Sequence, residues 1–328
     1  MVHGQRGGEL TVGQALDLFK VDFGLKFSIL IVVSKEDIWD ITSREQTKIK
    51  LDILKKYLKP WADIIGEHFP EAYYVDCFAG RGKYHKDGLK DCVSGSPLIA
   101  LDVALNVQQR KKQKKGKNFK MKVIAIESNR VNHAALSAFV GESNSNNEVE
   151  VTIHHGNFTD LIGPIVKTTD SSPAFFFIDP TGIKVPKEAL DVIIDKNGPT
   201  EIFLNYMTMG VRRVAGLQKV TSHQNERIKT RAITSLSNLD DLFGDKSWID
   251  KKEDRDLLRH FTDRVLKRKY RFVLNFDMPY PDRSETFYNL LFATNHDIAQ
   301  KIMKHIFTKK LFEGTLFESK PFEVDWNI

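Results

Sequence analysis

The segment Ala72-Tyr73-Tyr74-Val75-Asp76-Cys77-Phe78-Ala79-Gly80-Arg81-Gly82-Lys83 limits what this chain can become. An apolar run that ends in an acid and passes straight into Phe-Ala-Gly-x-Gly reads as a buried strand feeding a glycine turn. Gly80 and Gly82 carry no Cβ, so they reach dihedrals closed to other residues and let backbone approach a ligand. Asp76, at the strand end, accepts hydrogen bonds in the same place. A plain structural turn is the competing reading, since turns use glycine freely.

Two ligand loops are tested directly by the letters. A dinucleotide fingerprint needs a third glycine three residues after the second, and His85 stands there; this disfavours a nicotinamide oxidoreductase. A phosphate-cradling Walker loop needs glycine where Cys77 stands and a hydroxyl residue where Tyr84 stands. The remaining pattern, Asp-x-Phe-Ala-Gly-x-Gly, resembles the first motif of S-adenosylmethionine (SAM)-dependent methyltransferases, especially those acting on nucleic acid.

The rest of the chain repeats strand and helix. Glu45 to Ile65 carries apolar residues at three- and four-residue spacing, which predicts a helix that Pro60 kinks or splits. A polar excursion from Tyr84 to Gly95 follows the glycine turn, and Ser96-Pro97 then opens a helix over Leu98 to Val107 with serine as its cap. Strands are expected at Val123–Glu127, Val149–His154, Ala174–Asp179 and Glu201–Tyr206, with helices over Asn132–Val140 and Pro186–Ile194. This alternation means a doubly wound parallel sheet, whose ligands lie beyond the carboxyl ends of the strands. Two late strands, Arg271–Phe276 and Thr286–Thr294, predict a terminal hairpin of the kind that ends methyltransferase sheets. The expected fold is therefore a Rossmann-like class I SAM-dependent methyltransferase fold: a mostly parallel seven-stranded sheet with helices on both faces. A helical insertion over about 207–268 is expected to cap the active face. Residues 1–37, with the β-prone run Phe27 to Val33, read as an extension, 38–300 as the domain, and 301–328 as a tail.

Charge and cysteine usage narrow the partners. The formal charge is +6, and Arg110, Lys111, Lys112, Lys114, Lys115, Lys117, Lys120 and Lys122 form a cluster free of acids. It reads either as a solvated loop or as a loop contacting phosphates. Two cysteines, Cys77 and Cys92, supply neither a disulfide framework nor zinc-ligand spacing. His154, His155 and His223 show no zinc pattern, and no metal is expected. No apolar stretch approaches the roughly 20 residues that span a bilayer, so the expectation is a soluble cytoplasmic protein without membrane contact.

Methyl transfer needs donor and acceptor held in line, with water excluded. Asp76, Phe78, Gly80 and Gly82 are the candidate cofactor loop. Glu127, at the end of the second strand, suits the ribose hydroxyls, although it lies further along than the usual spacing of about 20 residues. Asn157 and Phe158 are candidates for the adenine, with core packing an equal reading for Phe158. Asp179, followed by Pro180, is the candidate acceptor-side acid, with a helix-capping role as its rival. Asn205 and Tyr206 are placed in the same cavity, and Arg212 and Arg213 are candidates for phosphate. Neither cysteine follows a proline, which disfavours cytosine C5 chemistry and leaves transfer to nitrogen or oxygen.

Several blocks together resemble one family closely. They are Ile38-Trp39, Thr47 to Trp61, Tyr74-Val75-Asp76, Phe78 to Tyr84, Gly95 to Leu101, Phe177-Ile178-Asp179-Pro180 and Tyr288 to His296. The family is the three-Cys-motif partner proteins (TcmP), a bacterial methyltransferase-like group. Cys77 stands where the family usually has glycine, and Thr181 where it usually has Phe. The resemblance implies a SAM-binding fold and association with a three-Cys-motif protein that resembles radical-SAM enzymes. It supplies no substrate. Two functions stay open: a methyltransferase acting on nucleic acid, DNA or RNA, or an inactive methyltransferase-like scaffold that binds nucleic acid or the partner in mobile-element defence or repair.

Overall fold

The computed structural model describes residues 45–86, 91–116, 118–222, 225–280 and 285–312. The expected extension with its run Phe27 to Val33 lies outside the described residues, as does the expected tail beyond 312; the tail's first part, 301–312, is instead helical, with Met303, Ile306 and Phe307 buried in a core. Seven strands make one sheet: β1 (Glu71–Asp76), β4 (Lys120–Glu127), β5 (Val151–His155), β6 (Ala174–Ile178), β7 (Thr200–Tyr206), β8 (Phe272–Pro279) and β9 (Thr286–Thr294). Their order is β5-β4-β1-β6-β7-β9-β8. The first five run parallel, and β9 runs antiparallel to both β7 and β8, so the late hairpin closes the sheet as expected. This is the α/β Rossmann-like architecture.

The central strands are apolar on both faces because both faces are covered. Along β6, Phe175 and Phe177 enter one core and Phe176 and Ile178 the other, all buried. Helices α1 (Glu45–His68), α2 (Ser96–Lys115), α3 (Arg130–Ser143) and α9 (Asp297–Phe312) supply the first core. Helices α4 (Phe158–Thr169), α5 (Lys187–Ile194), α6 (Thr208–Ala215), α7 (Glu226–Phe243) and α8 (Asp254–Phe261) supply the second.

Four expectations are corrected. Helix α1 runs through Pro60 unbroken; the buried Tyr57, Leu58, Trp61 and Ala62 on either side hold it to the core across the one missing N–H. The polar excursion contains a small hairpin, β2 (Lys83–Lys86) with β3 (Asp91–Ser94), whose Tyr84 and Val93 pack on Leu51 and Ile99. Helix α2 is capped by Gly95 and continues through the basic segment to Lys115, so Arg110 to Lys115 belong to a helix. The insertion is not a cap alone: its Val211, Leu239, Phe243 and Phe261 pack into the second core, and Val211, Leu242 and Phe261 line a small cavity with Pro180 and Asn205 at the carboxyl ends of β6 and β7.

One buried acid lies away from the carboxyl edge. Glu201, near the start of β7, is 4% exposed and accepts hydrogen bonds from the Tyr57 hydroxyl at 2.6 Å and the Thr294 hydroxyl at 3.1 Å. Burial pushes its carboxyl up from 4.5 to about 7, with the two hydroxyls pulling the other way. Between those values the native chain keeps a proton that the unfolded chain has shed, so native stability falls as pH rises through this window and is level above it. Replacing Glu201→Gln, which mimics the protonated acid, removes that fall. Urea unfolding at pH 5 and pH 8 should show the wild type losing up to about 3 kcal/mol more than the variant.

Candidate active site

The parallel register decides which side chains meet. Asp76 is level with Ala125 of β4 and Phe177 of β6, and Ile178 with Leu204 of β7. Side chains alternate along a strand. Tyr74, Ala125, Phe177 and Phe203 all enter the first core, so Asp76, Glu127, Asp179 and Asn205, two residues beyond each, share that face at the carboxyl end of four adjacent strands. The sequence-predicted acids are thus brought together.

Asp76 is fully buried. The Tyr74 hydroxyl donates to one oxygen at 2.9 Å, the Phe78 N–H to the other at 3.3 Å, and the Ser96 hydroxyl adds a third hydrogen bond. Burial pushes its carboxyl up to about 7 despite these donors, and the nearby Asp179 charge adds to the rise. Its partners are internal, so Asp76 fixes the turn and the start of α2.

The glycines divide the work of the turn. Both adopt left-handed backbone, Gly80 at φ 65° and Gly82 at φ 86°. A Cβ on Gly82 would lie 2.7 Å from Leu136 Cδ1, and the Gly82 carbonyl accepts the Gly95 N–H at 2.7 Å. Gly82 therefore seats the turn against α3 and α2. Gly80 precedes it at the tip, with the Ala79 N–H held by the Ile126 carbonyl at 2.9 Å.

Glu127 is 9% exposed and accepts the Asn129 N–H at 2.6 Å. Asn129 in turn caps α3 through the N–H groups of Val131 and Asn132. The carboxylate is fixed beside the Gly80 turn, where a vicinal diol would find an acceptor.

Asp179 has two neighbours that lock it. The Asn205 amide donates to Oδ1 at 2.7 Å, and the Lys50 ammonium from α1 pairs with Oδ2. Lys50 received no role from the sequence reading. A signal existed: residue 50 lies three before Ile53 and four before Leu54, on the buried stripe of α1. A charge on that stripe needs a partner.

Other expected residues land elsewhere. Tyr206 follows Asn205 and so points to the opposite face, where its ring packs 5.0 Å from Phe261 and its hydroxyl is buried without a hydrogen-bond partner. It lines a cavity of about 10 Å³ with Pro180, Ile183 and Met207, room for a single water. Tyr206 is therefore a core residue, removed from Asp179 by the pleat. Phe158 is buried in the second core, with its ring 5.2 Å from that of Phe78. Asn157 is exposed at the cap of α4 and donates to Asp160 at 3.3 Å.

The basic cluster is also relocated. Helix α2 begins beside Gly82 and its twenty residues carry it about 30 Å away, to the amino edge of the sheet. There Lys111 is buried, with its ammonium on the Asp63 carbonyl and the Glu67 carboxylate, both at 2.8 Å. Arg110 pairs with Asp63. Lys111 consequently braces α2 against α1 instead of facing phosphate. Lys112 and Lys114 are exposed at that far edge, the side chain of Lys115 is outside the described residues, and Lys117 lies outside them altogether. Arg212 is held by Asp254 and Glu285, whereas Arg213 is exposed on α6, directly after β7. Among the described residues no cluster of three or more His, Cys, Asp or Glu is placed to hold a metal ion, and no helix is long and apolar enough to cross a membrane.

No family model and no curated protein matches the chain. Solved structures do. A protein of family DUF519 from Legionella pneumophila matches at 13% identity with a TM-score of 0.47, over 84% of this chain and 97% of that one. The O-methyltransferase TomG from Streptomyces achromogenes, in complex with SAM, matches at 11% and 0.39, over 74% and 79%. Trm1 from Pyrococcus horikoshii, with SAM, matches at 10% and 0.39, over 86% and 63%. These likenesses are distant, and the fold class stands on the strand order and register themselves.

The seating role of Gly82 is open to measurement. Gly82→Ala meets both a left-handed φ and the buried Leu136, and should cost about 1–3 kcal/mol in urea unfolding. Gly141→Ala, inside α3 with no heavy atom within 4 Å of the new Cβ, should instead gain about 0.5–1 kcal/mol.

Proposed function

We propose that this protein is a SAM-dependent methyltransferase acting on nucleic acid. The observation that carries the reading is the convergence of Glu127, Asp76, Asp179 and Asn205 on one face at the carboxyl ends of β4, β1, β6 and β7, beside the left-handed Gly80 turn. The residues suit the cofactor. Glu127 offers a fixed carboxylate to ribose hydroxyls, Gly80 allows close backbone approach, and the half-buried Phe78 flanks the turn. When bound, SAM supplies an electrophilic methyl carbon on a positively charged sulfur.

The chain's own part is to position and to accept. Asp179, followed by Pro180, presents a carboxylate with one oxygen on Asn205, and carboxylates have lone pairs beyond those used here. It would take a hydrogen bond, and then the proton, from the acceptor nitrogen or oxygen. Nucleic acid as acceptor is supported by the net charge of +6 and by the exposed Arg213 near the carboxyl edge. A three-Cys-motif partner resembling radical-SAM enzymes is supported by the motif resemblance from Thr47 to His296.

A second reading, an inactive scaffold that binds nucleic acid or the partner, is favoured by one observation: both oxygens of Asp179 already have partners. Calorimetry with SAM and transfer from labelled SAM into total host DNA, RNA and protein separate the two. The enzyme binds SAM, Gly80→Val abolishes binding, and Glu127→Ala weakens it at least about tenfold, the scale of a lost charge-assisted hydrogen bond. Asp179→Ala leaves SAM affinity intact and abolishes transfer. Binding without transfer to any polymer establishes the scaffold, and no heat at millimolar SAM sinks the methyltransferase reading.

The nucleic-acid assignment has its own measurement. Affinity should fall steeply with added salt, and Arg213→Ala should flatten that slope by about one, more than Lys112→Ala does. A flat salt dependence removes nucleic acid as the acceptor.

A further inference from the structure

We propose that Lys50 is a positioning residue for Asp179, holding its carboxylate correctly aimed for methyl transfer. The inference rests on the methyltransferase reading above. Its starting point is an asymmetry in the pair: the side chain of Lys50 is 8% exposed and that of Asp179 19%. The ammonium is shut inside, below the ring of Tyr288 with its nitrogen 5.6 Å from the ring centre, while the acid keeps an opening at the sheet edge. A pair built only for packing has no reason to leave the acid as its open member.

The energetics point the same way. A lysine on the buried stripe of an amphipathic helix loses its hydration, and a well-packed apolar side chain of similar size is commonly as stable or more so. Neighbouring stripe positions are Ile49, Ile53 and Leu54, so methionine or leucine would suit residue 50 as a matter of packing. What an apolar side chain cannot supply is a counter-charge. Asp179 lies near Asp76, whose carboxyl its charge helps to push up. Glu127 on β4 and the tyrosines Tyr288 and Tyr84 are further titratable groups around this edge. Among these neighbours Lys50 is the positive charge in direct contact with Asp179.

Geometry adds direction to charge. With Asn205 on Oδ1 and Lys50 on Oδ2, the carboxylate is gripped at both oxygens from two elements, β7 and α1, and cannot rotate. Its remaining lone pairs then face a fixed direction, the preorganisation that a proton acceptor in a transfer reaction needs. Helix α1 lies outside the strand–helix repeat that builds the carboxyl edge, so this role requires the segment before β1 to belong to the catalytic unit.

The test compares wild type, Lys50→Met, Asp179→Asn and the double variant in the full chain. SAM affinity by calorimetry should stay within about twofold for Lys50→Met, which shows that the cofactor face is intact. With the acceptor polymer identified by labelled transfer, kcat should fall about 100-fold or more, the scale of a lost acid–base group, while the acceptor KM stays within about threefold. A purely structural lysine would lower stability and change both constants or neither. Urea unfolding of the four chains should show coupling between the two sites, the double variant being more stable than the sum of the single losses requires. Lys50→Gln, which keeps a donor without charge, replaces the methionine variant if that chain does not fold. Wild-type kcat in Lys50→Met, or absence of coupling, overturns the role while leaving the methyltransferase reading intact. A wild type that takes up no SAM overturns both.

Discussion

The pleat of a parallel sheet has a period of two residues, and this candidate site exists because four strands keep the same phase. Between β4, β1, β6 and β7 the pairing runs without slip from the first core to the carboxyl edge. A shift of one residue in any of them would send its polar end residue to the opposite core. The triplet Phe175, Phe176 and Phe177 guards that phase in β6, since each ring fills a different place in one of two close-packed cores. The chemistry at the edge is therefore set by apolar packing several residues away. Tyr206 shows the same rule from the other side: one step past Asn205, it belongs to the second core.

Buried acids are expensive, and the chain handles them in more than one way. Asp76 is surrounded by neutral donors, Tyr74, Ser96 and the Phe78 N–H, and stays partly protonated near neutrality. Glu201 has two hydroxyls and the same outcome. The half-buried Asp179 has instead a counter-charge, Lys50, from a separate element. Neutral donors suffice where an acid only organises backbone. The pair at Asp179 does something further: with Asn205 on one oxygen and Lys50 on the other, it fixes the direction of the whole carboxylate.

What the sequence made legible follows from how local each signal is. The strands, the glycine turn and the positions of Asp76, Glu127, Asp179 and Asn205 rest on short patterns: apolar runs closed by a polar residue. Their gathering followed from one topological rule about parallel sheets. Tyr206 was misplaced because adjacency along a strand was read as adjacency in space. Lys50 was missed because its stripe was read from its apolar members, and the partner lies 129 residues away. The role of Gly82 was half visible: the left-handed turn was expected, whereas contact with Leu136 on α3 depends on tertiary packing.

The basic cluster is the instructive failure. Eight cations without an acid between Arg110 and Lys122 read as a loop because they interrupt an apolar pattern, yet α2 continues through the first five, to Lys115, and Lys120 and Lys122 belong to β4. Lysine and arginine are good helix formers, and near a helix carboxyl end they also complement its dipole. Gly116 then ends the helix in left-handed conformation at φ 61°. Charges that satisfy a helix terminus, and that pair with Asp63 and Glu67 on the neighbouring helix, are largely committed before any partner arrives. Their distance from the carboxyl edge matters more than their number. On the proposed function, a nucleic acid with its reacting base at Asp179 would meet the residues around β6, β7 and α6 first, and would reach Lys112 or Lys114 only by extending about 30 Å along α2. Recognition of a short or single-stranded segment would then depend on Arg213 and its surroundings, and the lysines of α2 would matter only to a long one.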